Sequence, residues 1–159
     1  DAAAAAALGV EMVDWQTLLA RSDYLSIHAA FSPETRSIFN AAAFRAMKPT
    51  ACLINTARGG FIDEQALYEA LESGVIAMAA LDVLISEPPV DNPLVALDNV
   101  ICTGHYAFFS PESFAEQWKR PADEVTRVLH GEWPLAIVNP QAKARFVQRW
   151  GQMRDSQAV

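Results

Sequence analysis

Four side chains could do chemistry together: Arg58, Asp82, Glu87 and His105. Arginine is always charged, and its planar fork grips a carboxylate through two parallel hydrogen bonds. Histidine exchanges a proton near neutral pH. A glutamate bonded to the imidazole orients it and stabilises its protonated form. Such a set would hold a 2-oxo or 2-hydroxy acid and move a proton on its oxygen. It carries no hydride of its own, so a reduction would need a cofactor. Each residue also has a plainer reading. Arg58 is equally a solvated loop cation beside two glycines, and His105 a satisfied, partly buried histidine. Glu87 stands before two prolines as a loop acid would, and Asp82 could cap the next turn.

These residues can converge only if the elements before them end at one edge. An apolar run over 51–55 stops just ahead of Arg58, and a helical pattern with Ala66, Leu67, Ala70 and Leu71 on one face follows over 64–73. The run over 75–84 is apolar apart from Asp82, which suits a parallel strand covered on both faces. Further strands are expected over 10–13, 24–30 and 99–103, the last just ahead of His105. Asp14 should cap a helix reaching Arg21. A short helix should end at Met47, with Phe39, Phe44 and Met47 in the core. Ser110-Pro111-Glu112 starts a helix running to about Leu129, which Pro121 should kink or split. A last helix is expected over 141–150. Strands alternating with helices call for an α/β fold, a parallel sheet with helices on both faces. All carboxyl ends then share one edge, where open α/β sheets bind ligands.

The 159 residues, 52% hydrophobic and 19% charged, suit a globular chain with a real core. A net charge of −7 offers no attraction to nucleic acid or an anionic membrane. Cys52 and Cys102 sit in apolar runs without the paired spacing of a zinc site. No metal is expected, and both read as small buried hydrophobes. No apolar run approaches the roughly 18–20 residues that span a bilayer, and there is no signal peptide. The chain reads as soluble and cytoplasmic. It opens without methionine inside a helical pattern and is expected to be part of a longer protein.

The stretches INTARGGFID, AALDVLISEPP, NVICTGHYAFFS and SIHAAFSPETRSIFN resemble, in order, the arginine, aspartate–glutamate, histidine and cofactor-lining segments of the D-isomer-specific 2-hydroxyacid dehydrogenase family. The resemblance lies in the second half of the family's NAD-binding domain. It implies an incomplete Rossmann-like domain over 1–131 and a segment over 132–159 returning toward a substrate domain. It implies an NAD(H)-dependent oxidoreductase that interconverts a 2-oxo acid and a D-2-hydroxy acid. Arg58 would bind the substrate carboxylate and carbonyl, and His105 would donate the proton in reduction with Glu87 as partner. Asp82 would hold the nicotinamide carboxamide, while Thr56, Ala57 and the backbone at Ala29 and Ala30 would line the dinucleotide. Arg58 and His105 would also stand at its nicotinamide end, with Gly59 and Gly60 letting the backbone run close to it.

The implied cofactor is NAD. NADP is not distinguished from it, because the position that reads the ribose is absent. The implied partners are a small 2-oxo or 2-hydroxy acid and a second copy in a homodimer. Two alternatives share the scaffold: a non-catalytic, dinucleotide-linked binding protein like the C-terminal-binding-protein co-repressors, and a degenerate pseudo-enzyme. Gly104 stands where the family usually has proline, and no G-x-G-x-x-G phosphate loop is present. The chain alone is therefore expected to bind NAD poorly and turn over little.

Overall fold

The computed structural model describes residues 2–151. The chain divides into two compact units, Asp1–Ala107 and Phe108–Val159. The second unit begins ahead of a long helix that buries none of its residues.

The first unit opens with α1 (Ala2–Ala7). Residues 10–13 then form no strand. A strand needs a partner for its backbone groups, and among the described residues none pairs with this segment. Helix α2 (Trp15–Arg21) starts at Asp14, whose carboxylate accepts from the Thr17 N–H at 2.7 Å. Such a cap contributes about 1 kcal/mol. Strand β1 (Tyr24–Ile27) leads to α3 (Ala41–Ala46), capped by Asn40. Strand β2 (Cys52–Asn55) leads to α4 (Glu64–Glu72), capped by Asp63. The Ala66, Leu67, Ala70 and Leu71 face of α4 is buried, as its spacing requires. Strands β3 (Met78–Leu81) and β4 (Val100–Cys102) complete the sheet, and Phe39, Phe44 and Met47 lie in the core.

The sheet is parallel in the order β1-β2-β3-β4. Its register sets Leu25, Leu53 and Ala79 in one row and Ile27, Asn55 and Leu81 in another. These positions share a face and are buried, the apolar ones against Leu19, Phe44, Leu67 and Leu94. The alternate positions lie on the other face, where Tyr24 and Ser26 are exposed, Met78 is 40% exposed and Ile101 56%. The parallel α/β order is as expected, but within this unit the helices cover one face. Right-handed crossovers taken in a single direction put every helix on the same side, and α2, α3 and α4 touch in series. A second layer needs the strand order to reverse, and among the described residues it does not. The unbroken apolar run over 75–84 therefore comes from Met78 and Ala80 on the open face, not from cover on both sides.

Cys52 and Cys102 are half-buried, and burial pushes both thiols above their ordinary range. In the second unit, α5 (Pro111–Leu129) begins at Ser110, which accepts from the Ser113 N–H. It continues through Pro121 as one helix. The proline removes a single donor, and water can meet the freed carbonyl on so exposed a helix. Helix α6 (Lys143–Trp150) brings Phe146 to 5.2 Å from Trp133, ring centre to ring centre. Among the described residues no helix is long and apolar enough to cross a membrane.

Candidate active site

The arginine segment leaves the carboxyl end of β2 through a turn built on Asn55. This side chain is fully buried, at 0% exposure. Its carbonyl accepts from the Ala57 N–H at 3.0 Å, and its amide donates to the Arg58 carbonyl at 2.8 Å. A buried amide must find such partners, so the turn and the side chain fix each other. The Ala57 N–H is thereby committed within the turn. Arg58 is exposed, and its Nη1 donates to the Ala57 carbonyl at 2.6 Å.

Gly59 and Gly60 are required here, but for packing within the protein. A Cβ on Gly59 would lie 2.1 Å from the carbonyl carbon of Leu84, and one on Gly60 2.6 Å from the Phe31 ring. The close approach expected at a nicotinamide is already taken by the chain's own backbone and an aromatic ring.

The histidine segment leaves β4 and is held by Asp82, which is 6% exposed at the end of β3. Its Oδ1 accepts from Thr103 Oγ1 and from the Tyr106 N–H at 2.8 Å, and its Oδ2 accepts from the Ala107 N–H at 2.9 Å. Burial pushes this carboxyl up. The bonds from Thr103, Ala107 and Tyr106 and the charge on His105 outweigh burial and hold it below the usual aspartate range. His105 itself has φ +62°, an uncommon conformation for any residue but glycine. The two amide bonds just after it hold the backbone in that shape.

Glu87 completes the arrangement. Its Oε2 lies 2.7 Å from His105 Nδ1, and its Oε1 accepts from the Leu84 N–H at 2.9 Å. The bond with His105, then that from Leu84, holds the Glu87 carboxyl below its usual range. A carboxylate on Nδ1 fixes the orientation of the imidazole ring.

A pocket of about 380 Å³ is lined by Asp82, Glu87, Thr103 and His105 together with Leu84 and Pro88. A shallower one of about 270 Å³ lies on the open sheet face, between Thr56, Asp82, Ile54 and Ile101. The structure thus gathers Asp82, Glu87 and His105 and places Thr56 beside Asp82. Ala29 lines a small pocket with Trp15 and Phe39, and the Ala30 carbonyl accepts from Thr35 Oγ1 at 3.3 Å. His28 Nε2 is 2.8 Å from Ser26 Oγ on its own strand.

A nicotinamide dinucleotide fits this donor set in part. The pocket at Thr56 and Asp82 lies at the carboxyl edge, where a flat ring could rest against apolar Ile54 and Ile101. The reversal of strand order at which such folds seat the whole dinucleotide is not found among the described residues.

Comparison with known proteins gives the same picture. The chain is 44% identical over 144 residues to D-3-phosphoglycerate dehydrogenase of Methanocaldococcus jannaschii, covering 87% of this chain and 28% of that protein. It is 44% identical over 133 residues to glyoxylate reductase of Thermofilum pendens, covering 83% of this chain and 39% of the relative. The holo form of Rhodotorula graminis D-mandelate dehydrogenase superposes with a TM-score of 0.78 at 36% identity, over 86% of this chain and 40% of that one. The chain therefore spans well under half the length of these relatives. The family model for the D-isomer specific 2-hydroxyacid dehydrogenase, NAD binding domain, matches residues 1–107, and the chain belongs to that family.

Proposed function

We propose that this chain carries the catalytic half of the cofactor domain of an NAD(H)-dependent oxidoreductase that interconverts a 2-oxo acid and a D-2-hydroxy acid. The observation that carries the reading is the 2.7 Å contact between Glu87 and His105, at a sheet edge shared with Asp82 and the arginine segment. The nicotinamide, when bound, supplies or takes the hydride. In reduction, His105 protonates the substrate oxygen through Nε2, and Glu87 stabilises the imidazolium before the proton leaves. In oxidation the same nitrogen takes the proton from the hydroxyl. Arg58 swings from its own carbonyl contact to grip the substrate carboxylate in a bidentate pair. Thr56 and Asp82 flank the nicotinamide end, with Ala57 and the Ala29–Ala30 backbone further along the dinucleotide.

The proposal extends to the domain plan, in which α5 belongs with the cofactor domain and residues 132–159 lead toward a substrate domain. It extends also to a homodimer, which sedimentation of the full-length protein would read. Substrate identity stays at the level of the acid, since the relatives' names cover more than one. Activity is tested by NADH oxidation in the full-length protein with glyoxylate, hydroxypyruvate and pyruvate. Arg58→Ala and His105→Ala are each expected to lower turnover by about a hundredfold or more. Near wild-type turnover in either variant removes the role assigned to that residue. Absence of NADH oxidation with every acid would instead favour the non-catalytic reading.

A further inference from the structure

We propose that Glu64 is a positioning residue that joins the arginine segment to the Glu87–His105 pair. Glu64 opens α4, six residues after Arg58. An acid in a helix's first turn is ordinarily explained by the helix dipole alone. Here both carboxylate oxygens reach elsewhere. Oε1 accepts from the Ile85 N–H at 2.6 Å, and Oε2 accepts from Asn92 Nδ2 at 2.8 Å. The two donors bracket the loop that carries Glu87. Charge-assisted bonds of this length are the strong ones, and two from one carboxylate fix both position and angle.

The loop has few other anchors. It holds two prolines, Pro88 and Pro89, and no strand or helix between β3 and the turn at Pro93–Ala96. At its start, Leu84 and Ile85 press on the bare α-carbon of Gly59. The Leu84 N–H then donates to Glu87 Oε1, which leaves Oε2 for His105. Gly59, next to Arg58, and Glu64 each meet Ile85, and the contacts run on through Leu84 and Glu87 to His105. This strut sets the arginine segment and the Glu87–His105 pair at a fixed separation. Asn92 supports the far end, since its Oδ1 also accepts from the Leu94 N–H at 3.1 Å.

The inference rests on the dehydrogenase reading for its purpose, but the strut can be tested without activity. The charged groups facing Glu87 are His105, which holds its carboxyl low, and Asp82, which opposes that. Carbon-13 NMR of the carboxyls in the 159-residue chain reads the Glu87 titration, and amide exchange reads the Ile85 bond. In Glu64→Ala, Ile85 is expected to exchange about tenfold faster, as befits the loss of a charge-assisted bond. The Glu87 titration is expected to move upward toward the ordinary glutamate value as its alignment with His105 loosens.

Glu64→Gln tests the same strut where Glu64→Ala does not fold, because its amide sets two donors face to face at Asn92. Adding Asn92→Asp restores a donor–acceptor pair and keeps the total charge. Recovery of the wild-type Glu87 titration in Glu64→Gln/Asn92→Asp would therefore report geometry and not charge. Wild-type Ile85 exchange and Glu87 titration in Glu64→Ala would overturn the proposal. So would a double variant no closer to wild type than Glu64→Gln alone. In the full-length enzyme the expected kinetic effect is a loss in kcat with little change in KM, because Arg58 keeps its own turn. If no dehydrogenase activity exists, that arm fails and the NMR arms still decide the strut.

Discussion

The arginine segment and the histidine segment leave the same sheet edge but are held by different physics. Asn55 holds the first through a neutral amide, and close packing at Gly59 and Gly60 does the rest. Carboxylates hold the second: Asp82 fixes the backbone after His105, and Glu87 fixes the ring. The first arrangement contains no proton to lose or gain near neutral pH. In the second, the groups that set the geometry are themselves titratable. A carboxylate clamp needs only a fixed position, since arginine stays charged throughout. A proton donor needs partners that respond to its charge, and they bring acid sensitivity with them.

The largest effect that would sharpen this contrast is expected at Gly59. An alanine there must push its Cβ into the Leu84–Ile85 backbone, which cannot rotate away as a side chain could. Gly59→Ala is expected to cost about 3 kcal/mol or more, above the usual range for overpacking. Urea unfolding at pH 7 and again near pH 5 would measure it. The cost should be the same at both, because the clash is steric. A cost below about 1 kcal/mol would show that the arginine segment is held more loosely than its contacts imply.

A middle-sized effect separates the two regions by pH. Asp82 and Glu87 titrate below their ordinary values when folded. The folded state thus binds these protons less readily than the unfolded chain does. Their stabilisation is fully present above the ordinary carboxylate range, and it is lost as pH falls from that range through the lower folded values. Protection of the Tyr106 and Ala107 amides should fall over that acid window, while the Ala57 amide, bonded to neutral Asn55, keeps its protection. Amide exchange by NMR across the window reads both. Parallel loss at Ala57 and at Tyr106 would erase the distinction.

The sequence showed this division only in part. The placement of Arg58, Glu87 and His105 was legible because each follows an apolar run that ends at the same edge. The turn at Asn55 left a signal that could have been read: a polar residue closing a buried strand two positions before Ala57 is an Asx-turn pattern. Asp82 was read as a cofactor ligand, and the bonds its oxygens accept within the protein went unread. Those bonds span 21 to 25 residues, and no local spacing reports them. Glu64 was not singled out for the same reason, since its partners Ile85 and Asn92 come from a loop beyond the next strand. The four buried residues of α4 were readable from their spacing, because helical periodicity is local. Residues 10–13 carry a strand's composition but pair with nothing described, and pairing is a property of two segments.

The smallest effect is expected at Gly104, where the chain departs from the proline usual in its family. A Cβ there would meet the Tyr106 ring at 2.9 Å. That contact resembles the one at Gly59 in distance, but the obstacle differs in kind. Tyr106 is 67% exposed and can swing into solvent, whereas the Leu84 backbone is fixed on both sides. Alanine also restricts the unfolded chain more than glycine does, a gain of about 0.4–1 kcal/mol where the native backbone allows it. Gly104→Ala is therefore expected to change stability by no more than about 0.5 kcal/mol in either direction, the ring's displacement offsetting the entropy gain. Measured beside Gly59→Ala in the same unfolding experiment, it asks whether side chains or carboxylates fix the histidine segment. A cost as large as that at Gly59 would mean that the Tyr106 ring, and not Asp82, holds His105 in place.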